Sequence, residues 1–208
     1  MGESGSGKST IIKLIAGLET PWAGQLLFDV VPRRNIDPHV LHLDIGFFDY
    51  LPSTFFASIY DNIALWDDTV DAASVEKAVS SANAYALINK RPKGFEDLVV
   101  ESGKSLSAGE VQRLALSRLF IRRPQIILLD KALSSLDQVN KRIVLKNIIA
   151  LPSTVLMVSD DPEILSYIDR IIYLDQGKII ADGSFDVIQP VLAKSRIFNP
   201  KAIEGDSR

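Results

Sequence analysis

The run Gly2-Glu3-Ser4-Gly5-Ser6-Gly7-Lys8-Ser9-Thr10 leaves this chain few folds to adopt. Gly2-x-x-x-x-Gly7-Lys8-Ser9 fits the phosphate-binding loop pattern in full. Its glycines let the backbone curl so that successive N–H groups point into one concavity, which polyphosphate oxygens fill. Lys8 is placed to reach the outer phosphates, and the Ser9 hydroxyl to ligate Mg²⁺. Ile11, Ile12, Leu14, Ile15 and Leu18 follow at helical spacing, so the loop opens a helix whose N-terminal dipole favours an anion. An ordinary Gly/Ser-rich linker would not carry Gly-Lys-Ser-Thr directly ahead of an amphipathic helix. Such a loop joins a buried strand to its helix, yet nothing upstream of Gly2 is available to the sheet. The expectation is the downstream part of a longer unit, with its first core strand missing.

At 208 residues the chain suits one domain, or a core with a small subdomain. A net charge of −3 gives no electrostatic footprint for nucleic acid. Absence of cysteine excludes disulfides, thiolate metal sites and cysteine catalysis. No stretch approaches ~20 uninterrupted apolar residues, and the N-terminus lacks the form of a signal peptide. The chain is therefore not expected to span a membrane by itself.

Along the chain, Gly17 to Gly24 reads as a turn and Gln25 to Val31 as a short strand. Residues 32–38 read as loop, and Leu43 to Phe48 as a strand. His39 and His42, three apart, are a solvated or packed pair before they are a metal site, because no third ligand is in reach. Phe47, Phe48, Tyr50, Phe55, Phe56 and Tyr60 form an aromatic run. It is core, or, where exposed, a partner surface. The spacing predicts helices over 70–89, 110–121 and 137–150, a short one over 162–167, and one beginning at 184–188. Buried strands are predicted over 126–130 and 154–158, with a hairpin over 171–174 and 178–181. Strands alternating with helices give an α/β sheet. The helix-rich middle, about 49–114, reads as a separate lobe on a core of about 1–48 and 115–189, with 190–208 a tail.

Two further stretches carry chemistry. Ile126 to Leu129 is an apolar strand ending in Asp130, which would hold the Mg²⁺ shell opposite Ser9. Leu106-Ser107-Ala108-Gly109-Glu110 sits at a helix start. Its free N–H groups and serine hydroxyl make a second anion site, while Ser107 with Glu110 three residues on is equally a capping box.

In this order and spacing the motifs resemble the nucleotide-binding domain of ABC transporters, over about Gly2 to Ile188. Leu106 to Glu110 is similar to the LSGGQ signature, changed to LSAGE. Ile126 to Asp130 is similar to the second Walker motif, and Ser134-Ser135-Leu136-Asp137 to the loop that crosses the dimer. Gly94-Phe95-Glu96 through Glu101 resembles the exporter subgroup, in which that glutamate lies near the permease. The resemblance implies a P-loop NTPase (RecA-like) fold, a mostly parallel sheet with a helical subdomain. It implies ATP and Mg²⁺ as ligands, with Gly2 to Thr10 on the nucleotide. It also implies a second cassette as partner, in a homo- or heterodimer, whose ATP is closed over by Ser107 and Gly109. The permease, fused or separate, would hold the chain at the cytoplasmic face of the membrane. The exporter-like stretch favours fusion.

Three positions depart from the family, all bearing on hydrolysis. Lys131 stands where the family has its general-base glutamate, and an ammonium cannot accept a proton. Asp160 stands at the switch histidine, where a carboxylate repels a γ-phosphate that an imidazole would bind. Tyr50 stands at the glutamine that binds metal and water. The expectation is a cassette that binds Mg-ATP, barely hydrolyses it at its own loop, and pairs with a partner owning the glutamate and histidine. If Lys131 and Asp160 face each other as the family's pair does, they form an ion pair closing the catalytic spot. A hydrolysing ATPase with another base and a truncated, inactive fragment are the alternatives. DNA-repair relatives are excluded by the lack of sustained heptads between Lys8 and Leu106, and RNA-binding translation-factor relatives by the single acidic cassette. The transported substrate is read by membrane helices, so no residue here identifies it.

Overall fold

The computed structural model describes residues 1–50, 52–99 and 106–193. These fall into two compact units, one of Met1–Leu26 with Val158 onward, the other of Leu27–Met157. Among the described residues no helix is long and apolar enough to cross a membrane. Glu101 of the exporter-like stretch and most of the expected tail lie outside the described residues.

The first unit opens on the phosphate loop and helix α1 (Lys8–Ala16). Gly17, at φ 79°, ends α1 by donating its N–H to Leu14 O and Lys13 O. A left-handed residue is what such a C-cap requires, and glycine takes that conformation without a Cβ penalty.

The chain then enters the second unit. The strand expected over 25–31 is a tight hairpin of β1 (Leu27–Phe28) and β2 (Val31–Pro32). Asp29 at φ 53° reverses the chain there. The Asp37 side chain accepts from the His39 N–H and Pro38 takes the first turn, so helix α2 (Pro38–Asp44) forms and takes Leu43 and Asp44 from the strand expected over 43–48. Exposed His39 and His42 both sit on it. β3 (Ile45–Phe48) follows. After β4 (Ala57–Ser58) come α3 (Ile59–Ala64), α4 (Ala72–Ser81) and α5 (Tyr85–Asn89). The single helix expected over 70–89 is broken at Asn83, which adopts φ 53°. β5 (Leu98–Val99) pairs antiparallel with β4.

Long helix α6 (Ala108–Arg122) leads into β6 (Ile126–Asp130), α7 (Gln138–Ile149) and β7 (Thr154–Val158). β3 and β6 are parallel, Ile45 opposite Ile126 through Phe48 opposite Leu129, and β6 lies between β3 and β7. Central placement explains why β6 is apolar up to its terminal Asp130: Ile127, Leu128 and Leu129 are fully buried. Replacing Leu128 by alanine is expected to cost about 2–5 kcal/mol. That loss would be read as a lower denaturation midpoint at unchanged slope.

The first unit resumes beyond β7. β8 (Ile171–Asp175) and β9 (Lys178–Gly183) form an antiparallel hairpin. Helix α8 (Phe185–Leu192) runs on through Pro190, because Ile188 and Leu192 on its inner face pack with Leu165, Ile171 and Tyr173. Leu174 N–H donates to Met1 O at 2.9 Å, and Gly2 bridges Leu174 in parallel.

Candidate functional site

In the first unit the loop is anchored on β8 and turned by glycines. A Cβ at Gly2 would stand 2.1 Å from Leu174 O and 2.7 Å from Ser6 Oγ, so no other residue fits. Gly5 and Gly7 adopt φ 79° and 96°, conformations L side chains avoid. Ser6 N–H donates to Glu3 O at 3.2 Å, and Gly177 N–H in the β8–β9 turn to Ser6 O at 3.1 Å. Gly7 is the N-cap of α1 and brings no side-chain acceptor to the first N–H groups, nor is there an acid in the first turn. A helix start without a cap keeps its donors for an anion. Ser4, Gly5 and Thr10 are exposed and Glu3 and Ser9 half-buried.

Lys8 is 7% exposed. Its Nζ donates to Gly2 O and Glu3 O, each at 2.6 Å, and reaches Ser6 Oγ at 3.4 Å. Asp160 Oδ1 lies 3.7 Å from the same Nζ. The ammonium is thus folded back into the loop's concavity, with a carboxylate beside it that sequence reasoning did not assign to it.

In the second unit Asp130 ends β6 with 4% of its surface exposed, and its Oδ1 has no hydrogen-bond partner among the described residues. A buried carboxylate oxygen left unpaired is costly, and a water, a hydrogen-bond donor or a divalent cation would each satisfy it. Lys131 follows at φ 52°. Its carbonyl accepts from Ser134 N–H at 3.0 Å and Ser134 Oγ at 2.8 Å, which starts the tight turn of 131–134. Tyr50 is exposed, its N–H on Asp49 Oδ1 at 2.7 Å.

Both alternatives at Leu106 to Glu110 can be tested against the capping geometry. The box is formed: Glu110 N–H donates to Ser107 Oγ at 3.3 Å, and Ser107 N–H to Glu110 Oε2 at 2.6 Å. Ser107 and Ala108 remain exposed. A Cβ on Gly109 would stand 2.9 Å from Ser135 O. Gln112, 1% exposed, accepts Ser135 N–H on Oε1 at 3.0 Å. Two motifs far apart in sequence, 106–110 and 134–137, are therefore brought together, and Gln112 is the residue that joins them. Its one signal in the sequence was a polar amide on the apolar face of α6. Asp137 then caps α7, and the Asn140 N–H on its carboxylate holds that group below the ordinary carboxylate value.

Sequence reasoning also missed the clamp behind Tyr50. Buried Asn62 donates to Phe55 O and Ser58 O at 2.9 and 3.0 Å, and its Oδ1 accepts Phe55 N–H at 2.8 Å. Arg118 donates to Asn62 O at 2.6 Å and Ser53 O at 2.9 Å, with its guanidinium 5.6 Å from the Phe55 ring. Burial lowers the Arg118 guanidinium from its ordinary value. The clamp leaves Tyr50, Phe55, Phe56 and Trp66 exposed. A cleft of about 460 Å³ beside them is lined in part by Phe47, Pro52, Leu65 and Arg118. Asn62→Ala would remove the side-chain hydrogen bonds to the backbone of Phe55, Ala57 and Ser58, for an expected loss of about 1–3 kcal/mol. Faster proteolysis within 53–58 would report the same loosening.

A family model described as ABC transporter matches residues 1–134. The mycobactin import ATP-binding/permease protein IrtB of Mycolicibacterium thermoresistibile is 32% identical over 188 residues, 89% of this chain and 32% of that protein. The lactococcin-A transport/processing ATP-binding protein LcnC of Lactococcus lactis is 33% identical over 185 residues, 88% of this chain and 26% of that one. ABC transporter B family member 19 of Arabidopsis thaliana is 34% identical over 197 residues, 94% and 16%. The chain thus spans a third or less of the length of these relatives. A structure of a bacterial Atm1-family ABC exporter with ATP bound superposes with a TM-score of 0.86 at 32% identity, covering 91% of this chain and 34% of that one. The chain belongs to the ABC transporter family and, within it, to the ATP-binding cassettes of the exporter type.

Proposed function

We propose that this cassette binds Mg-ATP at Gly2 to Thr10, hydrolyses it very slowly there, and drives transport by pairing with a second, competent cassette. One observation carries the binding half: a buried lysine ammonium held inside a glycine-built loop at a helix start that lacks a side-chain cap. Phosphate oxygens would replace the Gly2 and Glu3 carbonyls on Lys8, while the first N–H groups of α1 close on the same phosphates. Ser9 and Asp130 are the residues that would hold Mg²⁺, and the orphaned Asp130 Oδ1 supports that role. The ion would neutralise charge on the outer phosphates.

The slow-hydrolysis half rests on Lys131. A general base must accept a proton within hydrogen-bond reach of the attacking water, and the residue after Asp130 presents an ammonium. Ser107 and Gly109 are proposed to complete the partner's nucleotide site, the capping box fixing the start of α6 for that purpose. The exposed aromatics Tyr50, Phe55, Phe56 and Trp66 are proposed to face the permease domain, with the cassette at the cytoplasmic side of a membrane. Calorimetric titration of the full chain with Mg-ATP tests the binding. Saturable one-site binding is expected, and no heat of binding at millimolar ATP would overturn it.

A further inference from the structure

We infer that the second unit carries an anion site of its own, a cleft between α5 and α6 that takes a phosphate-type oxyanion. The inference goes beyond the reading of the phosphate loop and does not depend on it. The cleft holds about 350 Å³ and is lined by Ala86, Leu87, Lys90, Arg91, Glu110 and Arg113. Three of these side chains are cations and one is an anion, on a chain whose net charge is −3. A concave surface dominated by one sign concentrates counter-ions even when the whole molecule carries the other.

The partners these side chains already have define what is left for a ligand. Glu110 Oε2 is engaged by Ser107 N–H at 2.6 Å, as part of the capping box. Arg91 Nη1 lies 3.2 Å from Asp97 Oδ2, so one positive charge is matched there. Arg113 Nη1 donates to Asn83 O at 2.9 Å, and Asn83 Nδ2 to Asn140 Oδ1 at 2.6 Å. The Arg113 guanidinium is thus fixed before a ligand arrives, which spares an ordering cost. Its Nε is shielded from solvent and has no hydrogen-bond partner among the described residues. A buried donor without an acceptor is costly, and an oxyanion in the cleft offers one. Guanidinium groups present forked donors that match phosphate oxygens, and the exposed Lys90 adds a movable point charge. A phosphate dianion draws on all of these cations with twice the charge of a single carboxylate. Glu110 repels it and keeps the affinity modest. Glu110 and Arg113 both belong to the start of α6, so an anion held here bears on the helix that carries Ser107 and Gly109.

The test is a titration of the isotope-labelled full chain with inorganic phosphate at constant ionic strength, followed by the shifts of its backbone amides. Saturable shifts are expected over residues 86–91 and 110–113, with a dissociation constant of about 1–10 mM. They persist in Lys8→Ala, which lacks the loop's cation, and under saturating Mg-ATP. Lys90→Gln is expected to weaken this site about threefold or more, and Glu110→Gln to tighten it about threefold. Glutamine also serves in a capping box, so the second change removes the charge and keeps the start of α6. Thermal unfolding checks that both variants keep the fold. Shifts over 86–91 and 110–113 that stay linear to ~50 mM phosphate would mean an adventitious ion only and overturn the inference. So would a constant that neither variant moves. Loss of shifts over residues 2–10 alone would count against the phosphate loop and leave this cleft standing.

Discussion

Lys8→Ala is expected to weaken Mg-ATP binding by at least about a hundredfold, the ~3 kcal/mol at the upper end for a charge-assisted hydrogen bond. The ammonium already occupies the concavity with its contacts to Gly2 O and Glu3 O. Without it the phosphates meet backbone N–H groups on one side and the Asp160 carboxylate on the other. Lys8→Arg is not expected to rescue. A planar guanidinium needs more room than a point charge seated 2.6 Å from two carbonyls, and its donors form a fixed fork. Calorimetry reads the result, and near-normal affinity in Lys8→Ala would remove the loop from the binding reaction.

The second large effect concerns turnover. Lys131→Glu with Asp160→His is expected to raise ATP hydrolysis by about 10²–10⁴-fold, the usual worth of a positioned general base. Lys131→Glu alone supplies a proton acceptor next to Asp130. Asp160→His removes the carboxylate 3.7 Å from Lys8 and offers a donor in its place. Because both act on one reaction, their effects are not expected to add. A multiple-turnover assay on the singles and the double separates them. No gain in the double change would mean that the missing base is not what limits hydrolysis.

Much of the frame was legible in the sequence because it is written locally. β6 and β7 match their expected limits, since a short apolar run bounded by an acid or by turn residues has few other uses. The starts of α6 and α7 are fixed by Ser107 and Asp137, side chains whose capping chemistry reads directly from sequence. Less of the second unit was readable. β1 and β2 are two residues each, too short for a period to show. The break at Asn83 depends on a left-handed residue that helix periodicity does not register.

The site divides in the same way. The loop declared itself through contiguous residues, and Asp130 through the strand it ends. What stayed hidden were pairings made by folding alone: Gln112 on Ser135, Arg118 and Asn62 on 53–58, and Asp160 on Lys8. Asp160 was read against the family's histidine position. Its pairing with the loop lysine is a long-range contact, and no motif announces one.

The most direct measurement is the chemical state of nucleotide held by the full chain. The protein, in excess over radiolabelled Mg-ATP, is quenched at intervals and the label separated into ATP and ADP. The expected result is bound label that remains ATP for minutes. Conversion to ADP at the ~1–10 per second of an ordinary enzyme would contradict the claim that this cassette holds ATP without splitting it.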